Sequence, residues 1–495
     1  YKASLSDEQI DELVAQTKAL KAYQEEPSPK EILEKIPLLK REDIGKNVRP
    51  VHNEEKELCG IKTVHHNVHT NGIIYLDMMF DVDSLSEYVP QMSFLATLLG
   101  YMDTTEHTYR EFDTETNFYS GGIGSDLNIY SIYDTDEVKL KFTVRTKTLA
   151  GRIKDTTKLM AEMMFKTLFT DEKHLREVVA ETRSRLKVRL MSAGHQAAVS
   201  YSMAGLTLDG WYNDYSMGIG YYDYLVKLDE NFDSEKEKLI KGCEELVKAM
   251  FKKEKMLISC TCDENDYGLL GGAISEFDSE LENFEKENSA DILGLECYKP
   301  DVKYRKTAFS TPAEVQYAAV SGSYKDVPDV NDGAMMVVKH LLSYGYLWNE
   351  VRVKGGAYGV MCRFSRAGSG SFVSYRDPNL SATYDVYKKA ADFLENYDAD
   401  EREVTKTIIG TISGLDTPLT PSMDGKRSMS MYLTKTPLEV IQKERNQVLA
   451  CTKEDIRNTA DAVRKIANTE NICVIGNEKR IKDEASLFES IKPLS

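Results

Sequence analysis

The sequence predicts an α+β protein of two homologous units, each an antiparallel-rich sheet covered by helices, preceded by a helical hairpin. Three observations carry this reading. At 495 residues the chain is too long for one hydrophobic core, since single cores stop growing at roughly 250–300 residues. Short segments with strand-like alternation are separated by long, charged helical stretches. A programme of strand, helix, double glycine, strand and closing strand also occurs twice, and a repeat of that length means a duplicated domain rather than a solenoid.

Residues 1–48 read as the hairpin. Ser6 and Gln9 form a capping-box pattern ahead of Ile10, Leu13, Val14 and Leu20. Ser28, Pro29 and Glu31 repeat a cap-then-proline start before Ile32, Leu33 and Ile36, and Pro27 and Pro37 punctuate the two helices. The stretch holds too few apolar residues for a core, so it reads as a connector between larger bodies.

The first large unit, 49–284, opens with IKTVHHNVH and IIYLDMMFDV on either side of a TNG turn. An apolar helix over about 92–99 follows, then SGGIGSDLNIYSIYD and EVKLKFTVRT, charged helices over about 149–192 and 233–254, and the closing strand KMLISCTCD. After a polar stretch at 283–301 the second unit, 305–495, restarts the programme. EVQYAAVSGSY takes the place of IIYLDMMFDV, a helix runs through Met335 to Leu342, and KGGAYGVMCRFSR takes the place of SGGIGSDLNIYSI. Helices over 381–397, 401–413 and 453–467 lead to ENICVIGN, the counterpart of KMLISCTCD.

Composition narrows the function classes. With 41% hydrophobic and 29% charged residues the chain is of ordinary globular type, and no segment approaches the roughly 18 uninterrupted apolar residues of a membrane span. A net charge of −17 without a Lys/Arg block argues against a nucleic-acid partner. It reads as the solubility charge of a cytoplasmic protein, the alternative being an acidic cavity that attracts basic peptides. The eight cysteines stand singly apart from Cys260 and Cys262, with no CxxC pair, as expected of buried free thiols in a reducing compartment. The chain opens on Tyr1 with an acidic amphipathic helix and not a signal peptide, so it is expected to begin partway through a longer protein.

Most chemical signatures are missing. VHHNVH places His65 and His69 on one face of a strand and His66 on the other, with no carboxylate at ligand spacing, so these read as packed or solvated side chains and no metal is expected in this chain. Neither HExxH nor HxxEH occurs, nor a GxSxG elbow. The glycine-rich stretches GGIGS at 121–125 and AGSGS at 367–371 lead into strands, so they read as hairpin turns rather than phosphate loops. What remains is LWNEVRVKGGAYGVMCRFSRAGSGSFVSYRDPNL, residues 347–380. There Arg352 offers a permanent cation with a planar donor fork, and Tyr358 a phenol just past a double glycine. On the residues alone the pair reads either as a grip for a peptide carbonyl or carboxylate, or as an ordinary helix ion pair and a strand aromatic.

This segment resembles the C-terminal signature of the pitrilysin/insulinase superfamily, in its presequence-protease branch, where an LWNEVR-like helix leads to GGAYG and a strand ending in SYRDPN. The opening SLSDEQIDELVAQTKALKAYQEEPSP resembles the hairpin linking the two halves in that branch. TNGIIYLDMMFDV, TTEHTYREF and SGGI resemble its third domain, and residues from about 305 onward its fourth. The resemblance implies a clamshell zinc oligopeptidase whose partners are unfolded oligopeptides and whose zinc is held, through HxxEH and a distal glutamate, by an N-terminal catalytic half absent from this chain. It gives Arg352 and Tyr358 an auxiliary, substrate-binding part across the chamber, and a chain that is inactive alone. The rival expectation is a non-catalytic interaction or processing subunit.

Overall fold

The computed structural model describes residues 4–26, 29–33, 35–288 and 295–494. Its strands follow the alternating segments: β1 Glu54–Leu58, β2 Ile61–Asn67, β3 Ile73–Asp81, β4 Ile123–Ser131, β5 Val138–Leu149 and β6 Met256–Cys262, then β7 Lys306–Thr311, β8 Tyr317–Ser323, β9 Gly359–Phe364, β10 Ser369–Tyr375, β11 Ile472–Asn477 and β12 Ser490–Pro493. They form two six-stranded sheets, in the orders β1-β2-β6-β3-β5-β4 and β12-β7-β11-β8-β10-β9. Five strands of each share one arrangement. In both, the closing strand inserts parallel to the first strand of the set (β6 beside β2, β11 beside β7), and the other joins within the five are antiparallel. The sequence pairing of EVQYAAVSGSY with IIYLDMMFDV, and of the two double-glycine strands, therefore matches sheet position.

One face of the first sheet builds the main core. Leu76, Met78 and Phe80 of β3 lie beside Phe142 and Val144 of β5 and Ile258 of β6, under Met92, Phe94 and Leu95 of the helix Val89–Leu98. The other face carries Val64 and Met79, and its cover comes from the second half of the chain: Met429 of the helix Pro421–Leu433 packs on both. The exchange is reciprocal. The helix Gly194–Ala204 of the first half lies on the second sheet, where the Tyr201 ring meets Phe309 edge-on at 4.9 Å, Ser202 Oγ is 2.6 Å from Ser321 Oγ, and Asn471 donates to the Ser202 carbonyl at 2.8 Å. Both exchanged helices begin at a close approach. A Cβ on Gly425 would lie 1.8 Å from Thr261 Oγ1, and one on Gly194 would lie 2.2 Å from the Tyr317 ring. Lys46–Ser495 accordingly forms one compact body.

Tyr1–Gly45 forms a separate unit. Its helix Asp7–Glu25 starts with the expected capping box, Ser6 Oγ accepting from Gln9 N and Gln9 Oε1 from Ser6 N. The second helix of the expected hairpin is a correction: it is a single turn, Lys30–Leu33, with Ile36 beyond it. The expected cap at Ser28 and the break at Pro27 lie outside the described residues, as do 289–294 of the polar stretch between the units. The charged helices are Ile153–Phe165, Glu172–Ser192 and Phe232–Met250. Of three more helices between 194 and 230 and two over 421–450, Gly194–Ala204, Pro421–Leu433 and Leu438–Ala450 lacked a readable apolar stripe because small and polar residues fill much of the faces they bury.

On the face of the first sheet that the exchanged helix covers, His66 is fully buried. Its Nδ1–H donates to the His52 carbonyl at 2.6 Å and its Nε2 accepts from Ser259 Oγ at 3.0 Å, which satisfies the neutral ring. Burial pushes its pKa down to about 4.

The packing at Gly425 and the burial of His66 can each be tested. Gly425→Ala should destabilise the chain by about 1–3 kcal/mol through overpacking against Thr261, whereas Gly414→Ala, in a helix position with open space, should be neutral or gain up to about 1 kcal/mol; thermal melts of the two variants decide it. For His66, the unfolded ring titrates near 6.5 and the folded one near 4, so its stability is full above pH 6.5 and is lost as pH falls toward 4. Between pH 7 and pH 5 the loss should be about 2 kcal/mol, and His66→Gln should remove that part of the slope; equal slopes would contradict a neutral buried ring.

Candidate functional site

The helix Asp332–Leu341, capped by Asn331 accepting from Ala334 N, does not stop where the sequence places its end. It continues in wider π-helical turns, Leu342–Tyr346 and Trp348–Lys354, a form that is rare and tends to mark functional positions. Arg352 sits in the last of these turns. The chain then reverses at the double glycine. A Cβ on Gly355 would lie 2.5 Å from the Val351 carbonyl, and Gly356 has φ +83°, so neither position tolerates a side chain without strain. Gly356 N and Ala357 N close the end on the Arg352 and Val351 carbonyls at 2.9 and 3.1 Å, and β9 begins one residue after Tyr358.

The SYRDPN segment buttresses this turn. Asn379 Nδ2 donates to the Gly355 carbonyl at 2.6 Å. The fully buried Asp377 accepts from Asn379 N and from Thr383 Oγ1 at 2.9 and 2.6 Å, and its backbone pairs with Gln316. Burial raises the Asp377 carboxyl and these hydrogen bonds oppose the rise.

The result is a fixed pair. Arg352 Nη1 donates to the Tyr358 carbonyl at 2.7 Å, and its guanidinium stacks 4.1 Å from the Trp348 ring and 5.3 Å from the Tyr358 ring. Tyr358 is 64% exposed, and its ring leans edge-on against Tyr375. Both residues line an open cavity of about 1120 Å³, walled by β9 and by Met335, His340, Tyr344 and Trp348 of the preceding helix. The structure thus brings Arg352 and Tyr358 together, a donor fork and a phenol at one rim. Sequence reasoning missed His340 and Tyr344, whose rings meet at 4.7 Å, because single residues on a helix give no motif.

The histidine strand differs from expectation. His65 is fully buried, and carboxylates do stand beside it, from β1 and from the turn after β6: Nδ1 lies 3.4 Å from Glu264 Oε2 and 3.7 Å from Glu54 Oε2. Their cation is already present, since Lys56 Nζ is 2.8 Å from Glu264 and 3.3 Å from Glu54 and lies over the Tyr267 ring. His69 is exposed and pairs with Asp263 at 3.0 Å. A second cluster, Glu106, His107 and Glu162, is also internally paired: buried Glu162 accepts from Thr104 and His107, and Glu106 binds Lys166 at 2.7 Å. Among the described residues neither cluster offers two imidazoles, so neither fits the donor set of a catalytic zinc. Six of the cysteines are buried, while Cys59 and Cys297 are exposed. Of the glycine stretches, AGSGS turns the β9–β10 hairpin, but GGIGS is a helix-to-strand turn, as 355–356 is in the second unit.

Residues 1–228 match the family described as associated with the M16 peptidases of subfamily C, and residues 306–478 match the PreP C-terminal domain. The chain is 32% identical, over 99% of its length, to Protein HypA of Clostridium perfringens, of which it covers 50%. It is 31% identical, over 100% of its length, to presequence protease 1, chloroplastic/mitochondrial, of Arabidopsis thaliana, of which it covers 46%. It therefore spans about half the length of the curated relatives it matches. Among solved structures, a protease from Helicobacter pylori superposes with a TM-score of 0.55 at 15% identity, over 86% of this chain and 99% of that one. A peptidase M16 inactive domain from Pseudomonas fluorescens gives 0.53 at 14%, over 86% and 98%. At such identities the two structures speak to the fold alone. By its matches along the chain, and by the double-glycine segment they enclose, the protein belongs to the presequence-protease branch of the pitrilysin-type M16 peptidases and corresponds to their C-terminal half.

Proposed function

We propose that this chain is the substrate-gripping half of a zinc-dependent oligopeptidase, which works with an N-terminal half that holds the metal. The observation that carries this is the Arg352–Tyr358 pair: one guanidinium N–H is spent on locking the Tyr358 carbonyl, and the remaining donors and the phenol sit at the rim of an open cavity. Two preset donors at one point suit a peptide carbonyl that gains negative charge, because donors aimed at a developing oxyanion need no reorganisation and are worth about 3–4 kcal/mol each in a site that excludes water. Arg352 holds the peptide backbone in the ground state as well, since its fork and charge act before any bond changes. The bound partner is then an unfolded oligopeptide that fits alongside β9. The metal belongs to the other half on this reading, consistent with the poor fit of both histidine clusters described above.

In the enzyme reconstituted from both halves, Tyr358→Phe should lower kcat about 10- to 1000-fold with KM changed far less, and should cost at most about 1 kcal/mol of stability. Arg352→Ala should raise KM as well, because it removes ground-state binding. Wild-type kcat/KM in both variants would sink the assignment. The chain by itself should hold no tightly bound zinc and cleave no peptide. Metal analysis of the purified chain checks this, and one retained zinc with chelator-sensitive peptidase activity would contradict it.

A further inference from the structure

A second cavity, of about 540 Å³, opens on the face of the first sheet that the exchanged helix covers. Its shape follows from strand register. Across the sheet, Ser259 of β6, Asp77 of β3, Arg145 of β5 and Gly124 of β4 stand side by side, and Thr261, Tyr75 and Lys147 make the next row. The first row ends in bare backbone: beside Gly122 and Gly124 there is open space where a side chain would stand, so the polar rows border a void. The far wall is the exchanged helix Pro421–Leu433, which rests Gly425 on Thr261 and brings Ser422 and Lys426 to the rim. The corresponding face of the second sheet, under Gly194–Ala204, carries the buried side chains of Tyr317, Ala319, Val373 and Ile475 instead.

The lining has unmet chemistry. Arg145 Nε is buried without a hydrogen-bond partner and stands 4.0 Å from Asp77 Oδ1, too far to bond, while Nη2 is spent on Asp126 and Asn128. Such a donor and acceptor side by side match one residue of an extended peptide, whose own N–H and C=O point to the same side. Among the described residues no carboxylate lies within ion-pair distance of the Lys147 or Lys426 amine. Three cations thus face the single lining carboxylate, Asp77, in a chain whose net charge is −17.

We propose that this cavity is a subsite for the C-terminal end of a peptide: Lys147 and Lys426 hold the terminal carboxylate, and the penultimate residue, extended, donates its N–H to Asp77 and accepts from Arg145 Nε at its own carbonyl. The choice of a peptide as the carboxylate's source rests on the peptidase reading. The anion site itself does not, and it lies apart from Arg352 and Tyr358.

The test is calorimetric titration of the purified chain with tri-alanine as free acid, with its C-terminal amide, and with inorganic phosphate. The free acid should bind, and the amide should bind roughly 10-fold more weakly or worse, because charge-assisted hydrogen bonds are lost. The double variant Lys147→Gln, Lys426→Gln should weaken the acid by a similar factor without lowering the melting temperature, since both lysines are exposed. Gly124→Val, which fills the void, should also weaken it. The ratio of acid to amide affinity should be the same in Arg352→Ala as in the unsubstituted chain, which separates failure here from failure of the peptidase reading. Equal binding of acid and amide, no binding at millimolar peptide, or full affinity in the glutamine variant overturns the proposal. Phosphate binding more tightly than the acid peptide overturns the peptide assignment.

Discussion

The close seating of two helices on sheets they do not belong to in sequence is the constraint on which the rest of this structure depends. A sheet in a duplicated unit has two faces to cover, and each unit's own helices serve mainly one. Each sheet's other face is covered by a helix from the other half, and the contact is tight enough that glycine stands where the helix backbone meets a side chain of the sheet, Gly425 on Thr261 and Gly194 on the Tyr317 ring. Neither half can then present its second face without the other. Lys46–Ser495 behaves as one body for this reason, although its strand order shows two copies of one plan.

The same logic of close approach shapes the rim of the large cavity. Arg352 and Tyr358 are six residues apart, yet they converge because the helix ends in widened turns, the chain reverses through Gly355 and Gly356, and the guanidinium bonds the carbonyl of the very residue whose phenol it neighbours. Little of this rests on side-chain packing. It rests on backbone hydrogen bonds and on the Asp377–Asn379 buttress, which lies behind the turn and out of the cavity. A site held by backbone geometry keeps its donors in place before a ligand arrives, which is what makes such donors effective.

How much of this was legible in the sequence depended on the kind of signal. Alternation marked β3 and β5, whose two faces differ in burial, whereas β8, buried on both faces, was placed by its position in the repeat, and the two double-glycine strands aligned because the turn before them demands glycine in both copies. The strand EEKEL was invisible, since an edge strand guarded by charge carries no apolar period. The exchanged helices were missed for a different reason: GHQAAVSYSMA is buried against a sheet and against other helices, so no polar stripe frames an apolar one. Arg352 and Tyr358 were readable as a local motif. The carboxylates around His65 were not, because Glu54 reaches it through the β1–β2 register and Glu264 from about two hundred residues away.

Charge placement connects these sites. In a chain with 80 acidic and 63 basic side chains, most cations are expected to meet a carboxylate, and many do; Lys56 and Lys166, for example, each neutralise an acidic cluster that would otherwise resemble a cation site. Clusters of acid that already own a lysine have no need of a metal, and desolvating them further would cost more than the added attraction returns. Among the described residues, Arg352 beside β9 and Lys147 and Lys426 around the bare glycines of β4 are cations with no carboxylate partner that line a cavity. An unpaired cation at the edge of a cavity keeps its attraction for an incoming anion or carbonyl, and the surrounding negative charge of the chain confines that attraction to the cavity instead of spreading it over the surface.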